Sequence, residues 1–288
     1  MLHFRSLLLL YMIAVLLNSR SGKGKAIAVG EQIALELSLR KVRHKLFSTW
    51  PESLELFTEA WIVGGDGTIN YYLNKYRDTR LPVALFPAGT GNDFARMLYG
   101  SMDIVQQITH VLQAPPRLTD VGSCNAMLYI NSAGLGFDGE VLKSMQSIRR
   151  LGGKAGYMLA VIKNIFSFRE ISFKIFAGSK TWKGKFLLVA INNSKTTGGG
   201  IQVSPNASLE DGLLDLVLCD GLSTLKRLKY LPVIEKGKHL GLPFIHYFQE
   251  KDFIIESSKE LSGQIDGEII YGNHFIFKCL PAYLRVKY

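Results

Sequence analysis

Cysteine is scarce in this chain. Cys124, Cys219 and Cys279 are its only three, widely separated and without C-x-x-C spacing. That excludes a disulfide framework and a cysteine-built zinc site, and it fits a reducing compartment. The six histidines (His3, His44, His110, His239, His246, His274) form no H-x-x-x-H pair, so a histidine metal cluster is not indicated. Patterns of the helix-turn-helix, RRM and zinc-finger kinds are missing, which argues against a nucleic-acid-binding module. There are no repeats and no low-complexity tracts. Acid is also missing from one long region: Val141 to Leu209 carries eleven Lys or Arg and one acid, Glu170. Its net of +10 equals that of the whole chain, so the remainder is balanced. Such a region attracts anionic partners; a generally basic, solvated β surface is the plainer alternative.

The 288 residues, 47% hydrophobic and 20% charged, describe a globular chain of one large or two ordinary domains. Met1-Leu2-His3-Phe4-Arg5 followed by apolar Ser6 to Leu17 has the form of a signal peptide. Twelve residues cannot span a bilayer as a helix, and Asn18-Ser19-Arg20-Ser21 is a poor cleavage site. A buried strand, Tyr11 to Leu17, is the reading adopted. From there to about residue 121 the chain alternates strand, glycine turn and helix, the pattern of a parallel sheet with helices on its faces. Helices are expected over Lys25–Val42, Ile69–Tyr76, Asp93–Tyr99 and Met102–Leu112, with Pro115-Pro116 ending the series. The stretch from 40 to 60 is short for a strand, a loop and a full helix. After Asp120-Val121-Gly122 the texture changes to short alternating strands: Ala126–Ile130, Ile171–Phe176, Lys183–Asn192, Leu214–Cys219, Phe253–Ser257 and His274–Leu280. One apolar helix, Lys154–Phe166, lies among them. This half reads as an antiparallel β domain.

Two loops carry the chemistry. The apolar stretch Glu59-Ala60-Trp61-Ile62 runs into Val63-Gly64-Gly65-Asp66-Gly67-Thr68, and Leu81–Phe86 runs into Pro87-Ala88-Gly89-Thr90-Gly91-Asn92-Asp93-Phe94-Ala95-Arg96. Glycines at a strand-to-helix turn leave backbone N–H groups open to a polyphosphate at the helix N-terminus. A carboxylate there would repel phosphate unless a divalent cation lies between them, so Asp66 and Asp93 point to phosphate with Mg2+ and to phosphoryl transfer. Asp93 has a plainer alternative as a helix cap. Neither loop has the P-loop or dinucleotide-binding pattern in its proper context.

These two loops resemble the signature loops of the soluble diacylglycerol kinase superfamily, which includes bacterial lipid kinases, sphingosine kinases and ceramide kinases. Asn18-Ser19-Arg20-Ser21-Gly22-Lys23 is similar to its opening N-P-x-S-G, with Ser19 in place of the proline. Leu209-Glu210-Asp211-Gly212-Leu213 is similar to its metal-holding turn, and Ile265-Asp266-Gly267-Glu268 to its late D-G-E. The order matches from about Tyr11 to the C-terminus. The resemblance implies a Rossmann-like, phosphofructokinase-like α/β domain (residues 1–121, with 281–288 returning to it) before a β-sandwich domain (122–280). In that family the active site lies in the cleft between the two.

For single residues the resemblance implies the following. Asn18, Ser21, Gly22, Gly64, Gly65, Gly67, Thr68, Gly89, Thr90 and Asn92 would contact ATP, and Lys23 and Arg96 would offset phosphate charge. Asp120 would join Asp66 and Asp93 around Mg2+. Asp211, with the carbonyls of Ser208 and Leu213, would hold a second, structural Mg2+. Asp266 would be the general base, supported by Glu268, although Asp-Gly between strands is otherwise an ordinary hairpin turn. Asp138 and Asp215 are read as structural. The implied activity is ATP- and Mg2+-dependent phosphorylation of a lipid hydroxyl, with diacylglycerol first among the substrates. The setting would be the cytoplasmic face of an anionic membrane, with a homodimer allowed and nucleic acid not a partner. Three rivals stand beside it: a kinase for another lipid alcohol, an NAD-kinase-like kinase of a soluble substrate, and a catalytically silent lipid binder.

Overall fold

Residues 11–147 and 153–288 are described by a computed structural model, in which the chain divides into two compact units. The first comprises the chain up to Thr119 together with Tyr283–Tyr288, and the second is Asp120–Ala282. Most of the signal-like opening lies outside the described residues. Ile13–Leu17 is the first strand, buried throughout.

In the first unit, β1 (Ile13–Leu17), β2 (His44–Phe47), β3 (Glu59–Gly64) and β4 (Val83–Pro87) pair in the order β2-β1-β3-β4, all parallel. The end of β13 (Glu268–Lys287) lies parallel beside β4 through Val286 and Val83. β1 and β3 are buried along their whole length, which is why they read as unbroken apolar runs. Helices α1 (Lys25–Leu39), α2 (Asp66–Lys75) and α3 (Asp93–Tyr99) follow β1, β3 and β4, and α4 (Ile104–Gln113) completes the unit. α1 stops three residues before the expected Val42 because Lys41 takes a left-handed φ of 58°. No helix occurs between β2 and β3, so the short 40–60 stretch is an element trimmed away. The chain leaves β1 in one direction for β2 and adds β3 on the other side. The strand order therefore reverses between β1 and β3, and ligands of open α/β sheets bind beyond the carboxyl ends of strands at such a point.

β13 is held in this unit by a buried network. Lys287 Nζ pairs with Glu59 Oε1 at 2.7 Å, Trp61 Nε1 donates to Glu59 Oε2 at 2.9 Å, and Tyr99 Oη donates to the Lys287 carbonyl at 2.7 Å. Lys287→Met leaves the Glu59 carboxylate buried without its cation. A loss of about 3–5 kcal/mol in unfolding free energy is expected by chemical denaturation, and a loss under ~1 kcal/mol would contradict this account.

The second unit is an antiparallel sandwich in the order β11-β10-β9-β7-β12-β13. Its strands are β5 (Pro116–Cys124), which enters from the first unit, β6 (Met127–Tyr129), β7 (Ser132–Gly136), β8 (Ile171–Ala177), β9 (Lys180–Asn192), β10 (Leu214–Asp220), β11 (Ile245–Glu250), β12 (Asp252–Ile265) and β13. β7 and β8 pair with different parts of the long strands β9 and β12, so β9 and β12 belong to both layers. Tyr129, Phe173, Phe253, Phe275 and Phe277 fill the space between them. Among the described residues three helices accompany the sandwich: α5 (Phe137–Ser147), α6 (Gly153–Ser167) and α7 (Thr224–Glu235). Only α6 was legible in the sequence. α5 opens on Phe-Asp-Gly and α7 contains Pro232, so neither shows a clean apolar period. Pro116, expected to end the first series, instead begins β5. Among the described residues no helix is long and apolar enough to cross a membrane.

Candidate active site

Three loops leave the carboxyl ends of β1, β3 and β4, and they are in contact. The Asn18 N–H donates to the Val63 carbonyl at 3.1 Å and its Nδ2 to Thr68 Oγ1 at 3.1 Å. Ser21 Oγ donates to the Ala88 carbonyl at 3.3 Å. A Cβ on Gly22 would lie 2.1 Å from the Ala88 oxygen, and one on Gly89 only 2.5 Å from the Gly65 Cα. Glycine is therefore required by the approach of loop to loop, beyond any ligand. Gly64 is covered by Thr68, whereas Gly67 opens on free space. Gly22 and Lys23 have successive left-handed φ values of 59° and 57°, which turn neighbouring N–H groups to one side. Neither Gly24 before α1 nor Gly65 before α2 supplies a side-chain cap; the Lys25 and Thr68 N–H groups are taken by the Gly22 and Gly65 carbonyls, which leaves other first-turn amides such as that of Gly67 to an anion.

The β4 loop is braced by its own side chains. Asn92 accepts from the Gly89 N–H at 2.8 Å and donates to the Gly89 carbonyl at 2.9 Å. Arg96 donates to the Gly91 carbonyl at 2.9 Å and lies 3.8 Å from the Asp93 carboxylate. Thr90 and Lys23 are exposed.

Asp66 links two of the loops. Its carboxylate accepts the N–H groups of Asp93 and Phe94, each at 3.0 Å, and so caps α3 from a neighbouring loop. The position a Cβ would take on Gly91 lies 3.0 Å from Asp66 Oδ2 and 3.9 Å from Asp93 Oδ2. Two carboxylates thus converge on a space that exists because residue 91 has no side chain. Hard oxygen donors of this kind suit Mg2+, which needs only one or two carboxylates because it keeps several waters. No larger cluster of His, Cys, Asp and Glu arranged for a metal occurs among the described residues.

In the second unit, Asp266 and Gly267 make the β12–β13 turn with φ values of 46° and 88°, the backbone of a tight hairpin. The Asp266 carboxylate accepts three backbone N–H groups, from Ile130 at 2.7 Å and from Asn131 and Ser132 at 3.0 Å each. Behind this cradle lie buried polar residues that the sequence reading missed. Asn193 Nδ2 donates to the carbonyls of Asp120 and Ile130, Ser194 Oγ to Asn131 Oδ1, and Ser132 shares a 2.7 Å hydroxyl contact with Thr197. Their one signal was the polar run Asn192-Asn193-Ser194 ending an apolar strand. Glu268, the first residue of β13, is exposed.

Asp120 is buried in this unit. Its oxygens accept the N–H groups of Gly212 at 2.6 Å and Ala282 at 2.8 Å, which fastens the turn that carries Asp211. Asp211 is exposed and accepts the Leu213 N–H at 3.1 Å, and Ser208 Oγ accepts the Glu210 N–H at 3.2 Å. Asp215 is buried against Tyr247 and Gln249, and burial above all raises its pKa to about 6. Burial raises Asp138, packed over the Gly134 backbone, to about 7. The fold therefore favours protonated Asp138. Its stability contribution is full below the unfolded pKa of about 4 and is lost as pH rises toward 7. Asp138→Asn is expected to gain ~2–4 kcal/mol over the parent at pH 8 and nearly nothing at pH 4, measured by urea unfolding at both.

The Diacylglycerol kinase catalytic domain model matches residues 12–124, and the YegS C-terminal NAD kinase beta sandwich-like domain model matches residues 131–288. The chain belongs to the bacterial lipid kinase superfamily. The kinase is 28% identical over 209 residues to the diacylglycerol kinase of Bacillus subtilis, covering 71% of this chain and 69% of that one. It is 29% identical over 231 residues to a "Probable lipid kinase YegS-like" of Shewanella frigidimarina, covering 78% and 74%. A crystal structure of a diacylglycerol kinase from Bacillus anthracis has the kinase's fold, with a TM-score of 0.74 at 19% identity over 97% of each chain. An NAD kinase from Archaeoglobus fulgidus in complex with ATP shares it more distantly, at a TM-score of 0.56 and 14% identity over 96% of this chain and 92% of that one. The two domain models fall on the α/β unit and the sandwich respectively, which gives the lipid kinase its two-domain, NAD-kinase-like architecture.

Proposed function

We propose that this lipid kinase transfers the γ-phosphate of ATP to the free hydroxyl of diacylglycerol, forming phosphatidic acid at the inner face of a membrane, with Mg2+. The observation that carries the reading is the convergence of Asp66 and Asp93 beside Gly91, among three loops at the strand-order reversal, two of which lead into helices without a side-chain cap. ATP is supported by those open amides and by the ATP-bound state of the NAD kinase relative; diacylglycerol is supported by the names of the bacterial relatives.

Asp66 and Asp93 would hold Mg2+, which neutralises phosphate charge. The amides at Gly22–Lys23 and Gly65–Gly67 bind the phosphates, Asn18 and Thr68 fix the spacing of the first two loops, and Lys23 and Arg96 add positive charge. Asp211, with Ser208 and Leu213 beside it, is the candidate for a second bound Mg2+. Glu268 takes the proton of the attacking hydroxyl, and Asp266 positions it. The reason for exchanging these two roles is the three N–H groups donated to Asp266. They occupy the Asp266 carboxylate and hold it against the backbone, whereas Glu268 is exposed one residue past the turn.

The test is transfer of radiolabelled γ-phosphate from ATP to a panel of lipid alcohols in anionic mixed micelles with Mg2+. Labelled phosphatidic acid is expected. Label on another lipid would replace the substrate and keep the mechanism, and label on a soluble acceptor alone would overturn the reading.

A further inference from the structure

Helix α6 buries one side and bares the other. Ala160, Val161 and Ile165 pack with Val141 of α5 and with Leu228 and Leu231 of α7. On the opposite side Leu159, Ile162 and Phe166 are 45%, 38% and 64% exposed. Their spacing of three and four residues sets them in one stripe along the helix, with exposed Lys163 beside it. α7 repeats the pattern: Leu225 is 80% exposed, and Lys226 and Lys229 are exposed with it.

The two helices are locked together. Arg227 of α7, its side chain only 8% exposed, donates to the carbonyls of Ile165 and Phe168 at 2.9 and 2.8 Å and pairs with Glu170 at 2.6 Å. One exposed leucine needs no explanation, but four large apolar side chains on two clamped helices, flanked by lysines, do. Apolar side chains set among lysines are the composition of an interfacial surface. A second copy of the chain would bring the same basic face and be repelled, whereas acidic headgroups complement it.

We infer that the outer face of α6 and the start of α7 forms a docking surface for an anionic bilayer. Leu159, Ile162, Phe166 and Leu225 enter the acyl boundary, and the lysines lie at headgroup depth. The inference rests on the lipid-kinase reading for its purpose, and α6 also connects to the proposed chemistry. Its Tyr157 lies against Gly198, where a Cβ would be 2.8 Å from the ring. Thr197 next to it contacts the Ser132 hydroxyl, and the Ser132 N–H donates to Asp266.

The experiment is flotation of the full chain with phosphatidylcholine vesicles, with and without phosphatidylglycerol, beside activity on a short-chain, monodisperse diacylglycerol. The unsubstituted chain is expected to float with the anionic vesicles and to leave them in high salt. Phe166→Ser/Leu225→Ser should weaken partition at least tenfold. Lys226→Gln/Lys229→Gln should weaken it about thirtyfold, roughly fivefold per lysine. Both variants should keep full activity on the monodisperse acceptor. Unchanged partition of both variants, or no partition of the parent chain, overturns the inference. So does a dimer that the Phe166 variant dissociates while vesicle binding is unchanged. Variant-sensitive flotation without phosphate transfer to any lipid would support this surface and sink the substrate reading instead.

Discussion

Asp66→Asn is expected to lower phosphate transfer to lipid about a thousandfold while the protein stays folded. The asparagine keeps one oxygen to accept an N–H at the start of α3, so the cap that Asp66 supplies to Asp93 and Phe94 is weakened and not lost. What disappears is the negative charge that converges with Asp93 beside Gly91. Electrostatic support of a transferring phosphoryl group is worth about 10²–10³ in rate per lost group, and on the proposed reading a holder of the cation goes as well. Steady-state transfer against Mg2+ concentration measures it, with thermal unfolding as the control for fold. If the variant keeps more than about a tenth of the activity at ordinary Mg2+, Asp66 is only a helix cap.

The second large effect separates Glu268 from Asp266. Glu268→Gln is expected to lower kcat about 10²–10⁴-fold, the usual worth of a general base, with the melting temperature unchanged because Glu268 is exposed at the head of β13. Asp266→Ala is expected to unfold more easily, by ~2–5 kcal/mol, because the N–H groups of Ile130, Asn131 and Ser132 lose their acceptor. Its activity should fall too, by displacement of Glu268. Asp266→Asn, which retains an acceptor oxygen, should recover most of the stability. The reverse result, a stable but inactive Asp266→Asn beside an active Glu268→Gln, would return the proton-accepting role to Asp266.

Much of the first unit was legible because its signals are local. A parallel strand buried on both faces is an unbroken apolar run, as in β1 and β3, and a glycine turn must stand where such a strand meets a helix. That is why the three loops could be located residue by residue. The sandwich was harder. α7 carries Pro232 and three basic side chains, and its apolar side is completed only by packing against α6. β7 is Ser-Ala-Gly-Leu-Gly, a strand by virtue of its neighbours β9 and β12 and by no propensity of its own.

The alternation of strands, glycine turns and helices, the resemblance that follows from it, and the carboxylates on which chemistry can rest are all written in the order of the residues. What those carboxylates touch depends on packing. Asp66 and Asp93 lie 27 positions apart in sequence, and their oxygens converge because β3 and β4 pair in register and two glycine loops touch. Asp66, Asp120 and Asp266 look alike in sequence, and each is engaged by backbone N–H groups from a different distant segment. The physical reason is reach. A hydrogen bond or an electrostatic contact acts over a few ångströms of space, and where the chain brings those ångströms together is a property of the packed fold, not of local sequence.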